Sequence, residues 1–366
     1  MAPSSLSPSP SAYTRTQIQQ YESHISLPHK YRQDSNPPIN LAYLTALHVH
    51  QIAAMPYENL SLHYSASHTV SLDPQVLFRK TVGDKRGRGG YCMENSILFY
   101  HVLKALGFAV YMAGVRIRPR VGGVPGGEYT GWVHVVNIIA LPSGSKYHSD
   151  VGFGGDGATK PLPLIAGHVT RNLGSQEIRL VHEPLPHSSQ QDQLHFIEIR
   201  IEVEVEIEWI YQYRNSPTQP WNAFYAFPEL EFSAPDFEIM SYFTSTSTSA
   251  LNFQTRTVLI VRFLLGRVNS EPDGENGEVD ELNAQGGVDG PDCEIEGEGE
   301  LGHLGIVGKI MLVNGEVKRN DGGKTRVLKV CESEDERVAA FEELFGITLT
   351  EEEMLGVEGR NVELGG

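Results

Sequence analysis

A chain of 366 residues, 40% of them hydrophobic and 20% charged, is long enough to bury a large core and to divide into two or three parts around it. Its formal net charge of −17 excludes nucleic acid and anionic membrane surfaces as partners. Its three cysteines, Cys92, Cys293 and Cys331, are too few for a disulfide framework, and with no CxxC pair they argue against zinc, so no metal is expected.

The first twelve residues form a Ser/Pro-rich head without the apolar core of a signal peptide, and no stretch of about 18 apolar residues follows, which predicts a soluble, cytoplasmic protein. From Tyr13 to about Gly107 the pattern is helical. Leu41, Leu44, Leu47 and His48 recur at helical spacing until Met55-Pro56 ends the run. A second, buried helix begins at Gly89-Gly90-Tyr91-Cys92 and runs to Gly107, which is placed to adopt the left-handed cap. Beyond Gly107 the period changes to strands at Ala109 to Ile117, Trp132 to Leu141 and Lys146 to Val151, broken by Gly/Pro turns. The clearest strand runs from His195 to Tyr211, where Ile, Val and Trp alternate with Glu and Arg. After Glu229 come strands near Thr257 to Leu265 and Ile306 to Val313, and a final helix near Asp335 to Phe345. Between those two strands lies an acidic insertion, residues 268–303, read as a solvated disordered loop. It holds twelve Asp or Glu and no Lys or Arg, leaving about −5 for the remaining chain. The Ser/Thr run from Thr244 to Ser249 reads equally as a phosphate-binding segment or a plain surface loop.

The chemistry gathers around Cys92. It follows a Gly-rich entry, Arg86-Gly-Arg-Gly-Gly90, at the start of a buried helix, where unpaired N–H groups and the helix dipole favour a thiolate. A nucleophilic Cys needs a base and the base needs an orienting group. His134 and Asp150, on two successive strands, supply both; His148, two residues before Asp150 on the same strand face, is the rival base. Taken singly, each residue also reads blandly, as a core thiol, a backbone-satisfied core histidine and a turn-capping aspartate. Cys-His-Asp in this chain order is the arrangement of papain-like and transglutaminase-like enzymes.

Four blocks carry a closer resemblance. Pro56-Tyr-Glu-Asn-Leu60, Arg88-Gly-Gly-Tyr-Cys-Met-Glu94, Thr130-Gly-Trp-Val-His134 and Asp150-Val-Gly-Phe-Gly154 resemble, in order and spacing, the PFENL, RGGxCxE, TGxxH and D-x-GFG blocks of the arylamine N-acetyltransferases, and most closely the longer, fungal-type members. Tyr57 stands in place of the usual Phe, Ser96 where Asn is frequent, and compact bacterial members lack the 268–303 insertion and the extended tail. The resemblance implies an α+β fold with a helical N-terminal domain (13–110), a central β-barrel-like domain (111–228) and a C-terminal α/β lid (229–366) behind a disordered head (1–12). It implies Cys92 as nucleophile, His134 as base and Asp150 as its partner. Thr130, Gly131 and, more weakly, Thr248 would contact coenzyme A, while Val133 and Phe153 would border the aromatic amine. The implied activity is ping-pong acyl transfer in xenobiotic detoxification, by a cytoplasmic monomer with no permanently bound cofactor. Acetyl-coenzyme A is the default donor, with malonyl- or propionyl-coenzyme A as further candidates. A cysteine hydrolase acting on amides is the alternative enzyme, and a non-catalytic binding protein of the same fold is the alternative outside catalysis.

Overall fold

The computed structural model of the protein describes residues 11–185, 207–250, 252–267 and 304–365. The head up to residue 10, most of the expected strand from His195 and the whole acidic insertion lie outside the described residues. Ser11 and Ala12 are tied down: the Ser11 hydroxyl donates to the His101 carbonyl at 2.8 Å, and the Ala12 N–H to His101 Nδ1 at 3.3 Å.

The N-terminal part holds α1 (Arg15–His24), α2 (Leu41–Ala54), a two-residue strand β1 (Tyr57–Glu58), the short helices α3 (Leu60–His63) and α4 (Pro74–Phe78), and α5 (Cys92–Ala105). Helix α1 starts where Thr14 and Gln17 cap each other's backbone N–H groups, and α2 where the Asn40 side chain accepts the Tyr43 N–H. Gly107, at φ +91°, takes the left-handed conformation just past α5. Ten of the fourteen residues of α5 are buried, which matches its apolar sequence on nearly every side.

The following strands are β2 (Ala109–Ile117), β3 (Arg120–Val121), β4 (Val124–Pro125), β5 (Trp132–Ala140), β6 (Lys146–Ser149), β7 (Leu162–Pro163), β8 (Val169–Arg171), β9 (Glu177–Pro184), β10 (Ile207–Arg214) and β11 (Asn222–Phe227). Eight of them build one antiparallel sheet in the order β7-β6-β5-β2-β11-β10-β9-β8. The sheet curls back on itself: the Gly167 N–H just past β7 donates to the Leu180 carbonyl of β9 at 2.7 Å, so it comes near closing into a barrel. Helix α5 packs on β2 and β5, and the largest apolar core lies between them and the N-terminal helices.

Helix α6 (Ala234–Thr246) then leads to β12 (Leu259–Arg267), β13 (Leu304–Val313), β14 (Glu316–Asn320), β15 (Thr325–Val330), α7 (Glu334–Phe345) and α8 (Glu351–Leu355). These strands form a second antiparallel sheet, β1-β12-β13-β14-β15, backed by Ala340, Phe341 and Phe345 of α7. Two features differ from the sequence reading. Strand β1, from the helical part, is an edge of this C-terminal sheet, with Tyr57 opposite Val261. Helix α7 is not the last, since Thr350 and Glu353 form a capping box that starts α8.

Candidate active site

The four sequence blocks converge at the start of α5. A side chain on Gly89 would stand 1.8 Å from the Pro56 carbonyl oxygen, and one on Gly152 would stand 2.6 Å from that of Cys92, so both approaches require glycine. The Gly90 N–H donates to Pro56, the Glu58 N–H donates to Gly90 at 3.0 Å, and the Asn95 amide donates to Gly90 at 2.8 Å. Glu94 reaches back to accept the Tyr91 N–H at 3.1 Å, which caps the helix directly before Cys92.

Behind that turn lies a buried ion network. Arg88 Nε donates to Glu58 Oε1 at 3.0 Å, Lys80 pairs with Glu94 at 2.6 Å, and Arg88 also meets Glu353 of α8 at 2.9 Å. Burial alone would raise the Glu58 carboxyl, but Arg88 and Lys80 outweigh it and lower it to about 2. For Glu94, burial wins and the carboxyl is raised. Glu353 escaped the sequence reading, although Thr350-x-x-Glu353 is a helix-start signal.

At the front, Cys92 is 5% exposed, and its thiol lies 3.9 Å from the Val133 carbonyl. His134, on β5, donates from Nε2 to Asp150 Oδ2 at 2.8 Å, and Asp150 also accepts the Gly152 N–H at 3.0 Å. The Cys92 side chain is the other partner of the ring, which leaves Nδ1 as the nitrogen that faces sulfur. Burial opposes charge on His134, but Asp150 and Cys92 outweigh it and raise the ring to about 10. The same pairing holds the Asp150 carboxyl low in spite of burial. The trio places an imidazolium next to a sulfur at a helix N-terminus.

His148 does not join it. Its Nε2 meets the Tyr225 hydroxyl at 2.9 Å, its ring stacks on Phe227 at 5.1 Å, and burial lowers it to about 4. His48 is likewise a buried, neutral ring, between Ser149 and the Ala158 carbonyl.

Phe153 stands edge-on to His134 at 5.2 Å and packs on Phe224 and Tyr225, and half-buried Val133 precedes His134 on β5, so the His134 ring is bordered by an apolar wall. Thr130 is half-buried, its hydroxyl spent on the Ile117 N–H and the Gly131 carbonyl, while Gly131 is exposed with open space around it. Thr248 lies on an exposed loop. Of the Ser/Thr run, Thr244, Ser245 and Thr246 belong to α6 and return their hydroxyls to its carbonyls. Among the described residues no group of three or more His, Cys, Asp or Glu is arranged to hold a metal ion, and no helix is long and apolar enough to cross a membrane.

A sequence model of the family described as N-acetyltransferase matches residues 40–269. The chain is 30% identical over 367 residues to N-malonyltransferase FDB2 of Fusarium pseudograminearum, an alignment spanning 95% of this chain and 93% of that protein. Its fold matches the arylamine N-acetyltransferase from Mycobacterium abscessus with a TM-score of 0.66 at 18% identity, covering 93% of each chain. It also matches the Mycobacterium marinum arylamine N-acetyltransferase in complex with CoA, with a TM-score of 0.64 at 19% identity over 94% of this chain and 98% of that one.

Proposed function

The chain belongs to the arylamine N-acetyltransferase family, and on that premise we propose that it moves a short acyl group from acyl-coenzyme A to an aromatic amine through a thioester on Cys92. The observation that carries this reading is the alignment of Cys92, His134 and Asp150, with His134 bonded to Asp150 at 2.8 Å and the thiol on the ring's other side. Together they form a papain-like core in which the helical part supplies the nucleophile and the barrel-like sheet supplies base and orienting acid.

In the first half-reaction the Cys92 thiolate, paired with the protonated His134 ring, attacks the thioester carbonyl. Asp150 accepts the Nε2–H throughout, which fixes the tautomer and stabilises the imidazolium. First-turn N–H groups of α5 have no intrahelical partner and receive the oxyanion. Collapse breaks the carbon–sulfur bond to coenzyme A, which leaves with the imidazolium proton, and the acyl group stays on Cys92. An aromatic amine is neutral at pH 7 and attacks that carbonyl along the Phe153 wall. His134 removes its proton as the bond forms, and Cys92 departs as the thiolate. Thr130 and Gly131 at the rim are the proposed contacts of coenzyme A, with Thr248 on its exposed loop a weaker one. For the donor we propose malonyl-coenzyme A beside acetyl-coenzyme A, because a relative matched over 93% of its length is named an N-malonyltransferase.

Incubation with acetyl-coenzyme A or malonyl-coenzyme A alone is expected to add one acyl group to Cys92, visible in the intact mass and discharged by aniline. Cys92→Ala should show neither adduct nor turnover. An adduct elsewhere, or turnover that survives Cys92→Ala, would overturn the reading.

A further inference from the structure

Tyr57 is 6% exposed, and its oxygen accepts a hydrogen bond from the Gln254 side-chain amide. The direction of that bond is fixed by a chain of amide orientations. Asn59 is set by two backbone groups: its Oδ1 accepts the Leu259 N–H at 2.9 Å, and its Nδ2 donates to the Thr257 carbonyl at 2.8 Å. The same Nδ2 donates to Gln254 Oε1 at 3.3 Å, which turns Gln254 Nε2 towards Tyr57. An amide N–H can only donate, so the Tyr57 oxygen accepts and its own proton is left over. No acceptor for that proton lies among the described residues. A buried donor without an acceptor is costly, and such a group in a native protein points to something that arrives from outside.

Tyr57 belongs to the framework of the turn that carries the reacting sulfur. Its backbone bridges Gly90, two residues before Cys92. Its ring packs on Gly154, the second residue after Gly152, whose backbone touches that of Cys92. After burial, the charge of Cys92 is the strongest influence on the phenol, and both raise it well above its ordinary range, so it remains a neutral donor.

We propose that Tyr57 is a further catalytic residue, which donates its hydroxyl proton in a hydrogen bond to the acyl carbonyl oxygen as the tetrahedral intermediate forms on Cys92. The inference rests on the acyl-transfer reading above. No proton is transferred from Tyr57; the bond strengthens as negative charge develops on the oxygen and relaxes when the carbonyl re-forms. The Tyr57 hydroxyl thus adds a side-chain donor to the helix-start N–H groups.

The test uses the full-length chain and the variants Tyr57→Phe and Gln254→Glu, whose carboxylate would accept the Tyr57 proton and turn it away from the site. Rapid-quench mass measurement of Cys92 acylation by acetyl- and malonyl-coenzyme A is set beside the rate of Cys92 alkylation by iodoacetamide, which forms no oxyanion. Tyr57→Phe is expected to slow acylation about a hundredfold with both donors, the typical effect of removing one oxyanion donor, while alkylation keeps its wild-type rate. Gln254→Glu should reproduce this with Tyr57 in place. Unchanged acylation, an equal fall in alkylation, or a loss confined to malonyl-coenzyme A would overturn the role of Tyr57. Failure of the wild-type chain to be acylated at all would instead overturn the transferase reading.

Discussion

His134 and His148 show how little of a histidine's role is set by burial. Both are fully enclosed, and enclosure pushes both rings towards the neutral form. His134 has a carboxylate at 2.8 Å and a thiol on its other side, and is raised to about 10. His148 has a phenol at 2.9 Å and no carboxylate of its own, and falls to about 4. One ring therefore holds a proton beside the sulfur, and the other is a neutral link in a buried polar cluster. His148→Phe should cost about 1–3 kcal/mol, the penalty for removing a buried hydrogen-bond partner of the Tyr225 hydroxyl, yet leave acylation of Cys92 in place. His134→Phe should lower acylation by about two to four orders of magnitude, the usual contribution of a general base. Urea unfolding and the rate of the mass shift measure the two effects separately, and the reverse pattern would make His148 the base.

Among elements, the turn before α5 depends on side chains from parts of the chain far apart in sequence: Glu58 after Pro56, Arg88 in the glycine-rich loop and Glu353 in α8. Breaking a buried pair by removing one partner typically costs about 3–5 kcal/mol, because the other charge is left uncompensated, and Glu58→Gln should cost less than that at pH 6, since Arg88 keeps Glu353 and Lys80 keeps Glu94. Glu58 is lowered to about 2 in the fold against roughly 4.3 in the unfolded chain. Its stabilisation is therefore fully present above the unfolded value and is lost as the pH falls towards 2. The gap in unfolding free energy between wild type and Glu58→Gln should accordingly close between those limits. Glu94 is raised by burial and also by the Glu58 charge, so part of its shift disappears in Glu58→Gln and offsets part of the gap. A gap that persists undiminished at the acid end would show that Glu58 acts through packing. This network marks where the sequence ceased to be legible. Strand β2 was readable to the residue, because β-branched and aromatic residues begin right after a helix-capping glycine. The juxtaposition of Cys92, His134 and Asp150 was readable because each sits in one of three ordered blocks. Strand β1 has two residues and no period to read, and its partner lies two hundred positions away. The preference for His134 over His148 rested on the Cys-His-Asp chain order across neighbouring strands, because alternation along one strand does not determine which way each ring turns. The Asn59–Gln254–Tyr57 chain spans a similar separation and leaves no pattern in either segment.

In the molecule as a whole, α5 packs on the eight-stranded sheet while α2 packs on β12 and β13, and the C-terminal sheet is continuous through those two strands although residues 268–303 separate them in sequence. The pairing of those strands is antiparallel and ends with Arg267 opposite Leu304. That register is the one a two-residue turn closes, since an Asn-Gly loop joins antiparallel strands directly. The long connection is therefore unnecessary for strand pairing, and the entropy of closing it opposes folding by an amount that grows only slowly with length. Replacing residues 268–303 by Asn-Gly should leave the rate of Cys92 acylation unchanged and the unfolding midpoint equal or higher. The twelve acidic residues removed would bring the net charge from −17 to about −5, and elution from an anion exchanger should move to lower salt. A shortened protein that folds yet no longer acylates Cys92 would place the acidic segment in the working site, and one that fails to fold would make it part of the sheet's framework.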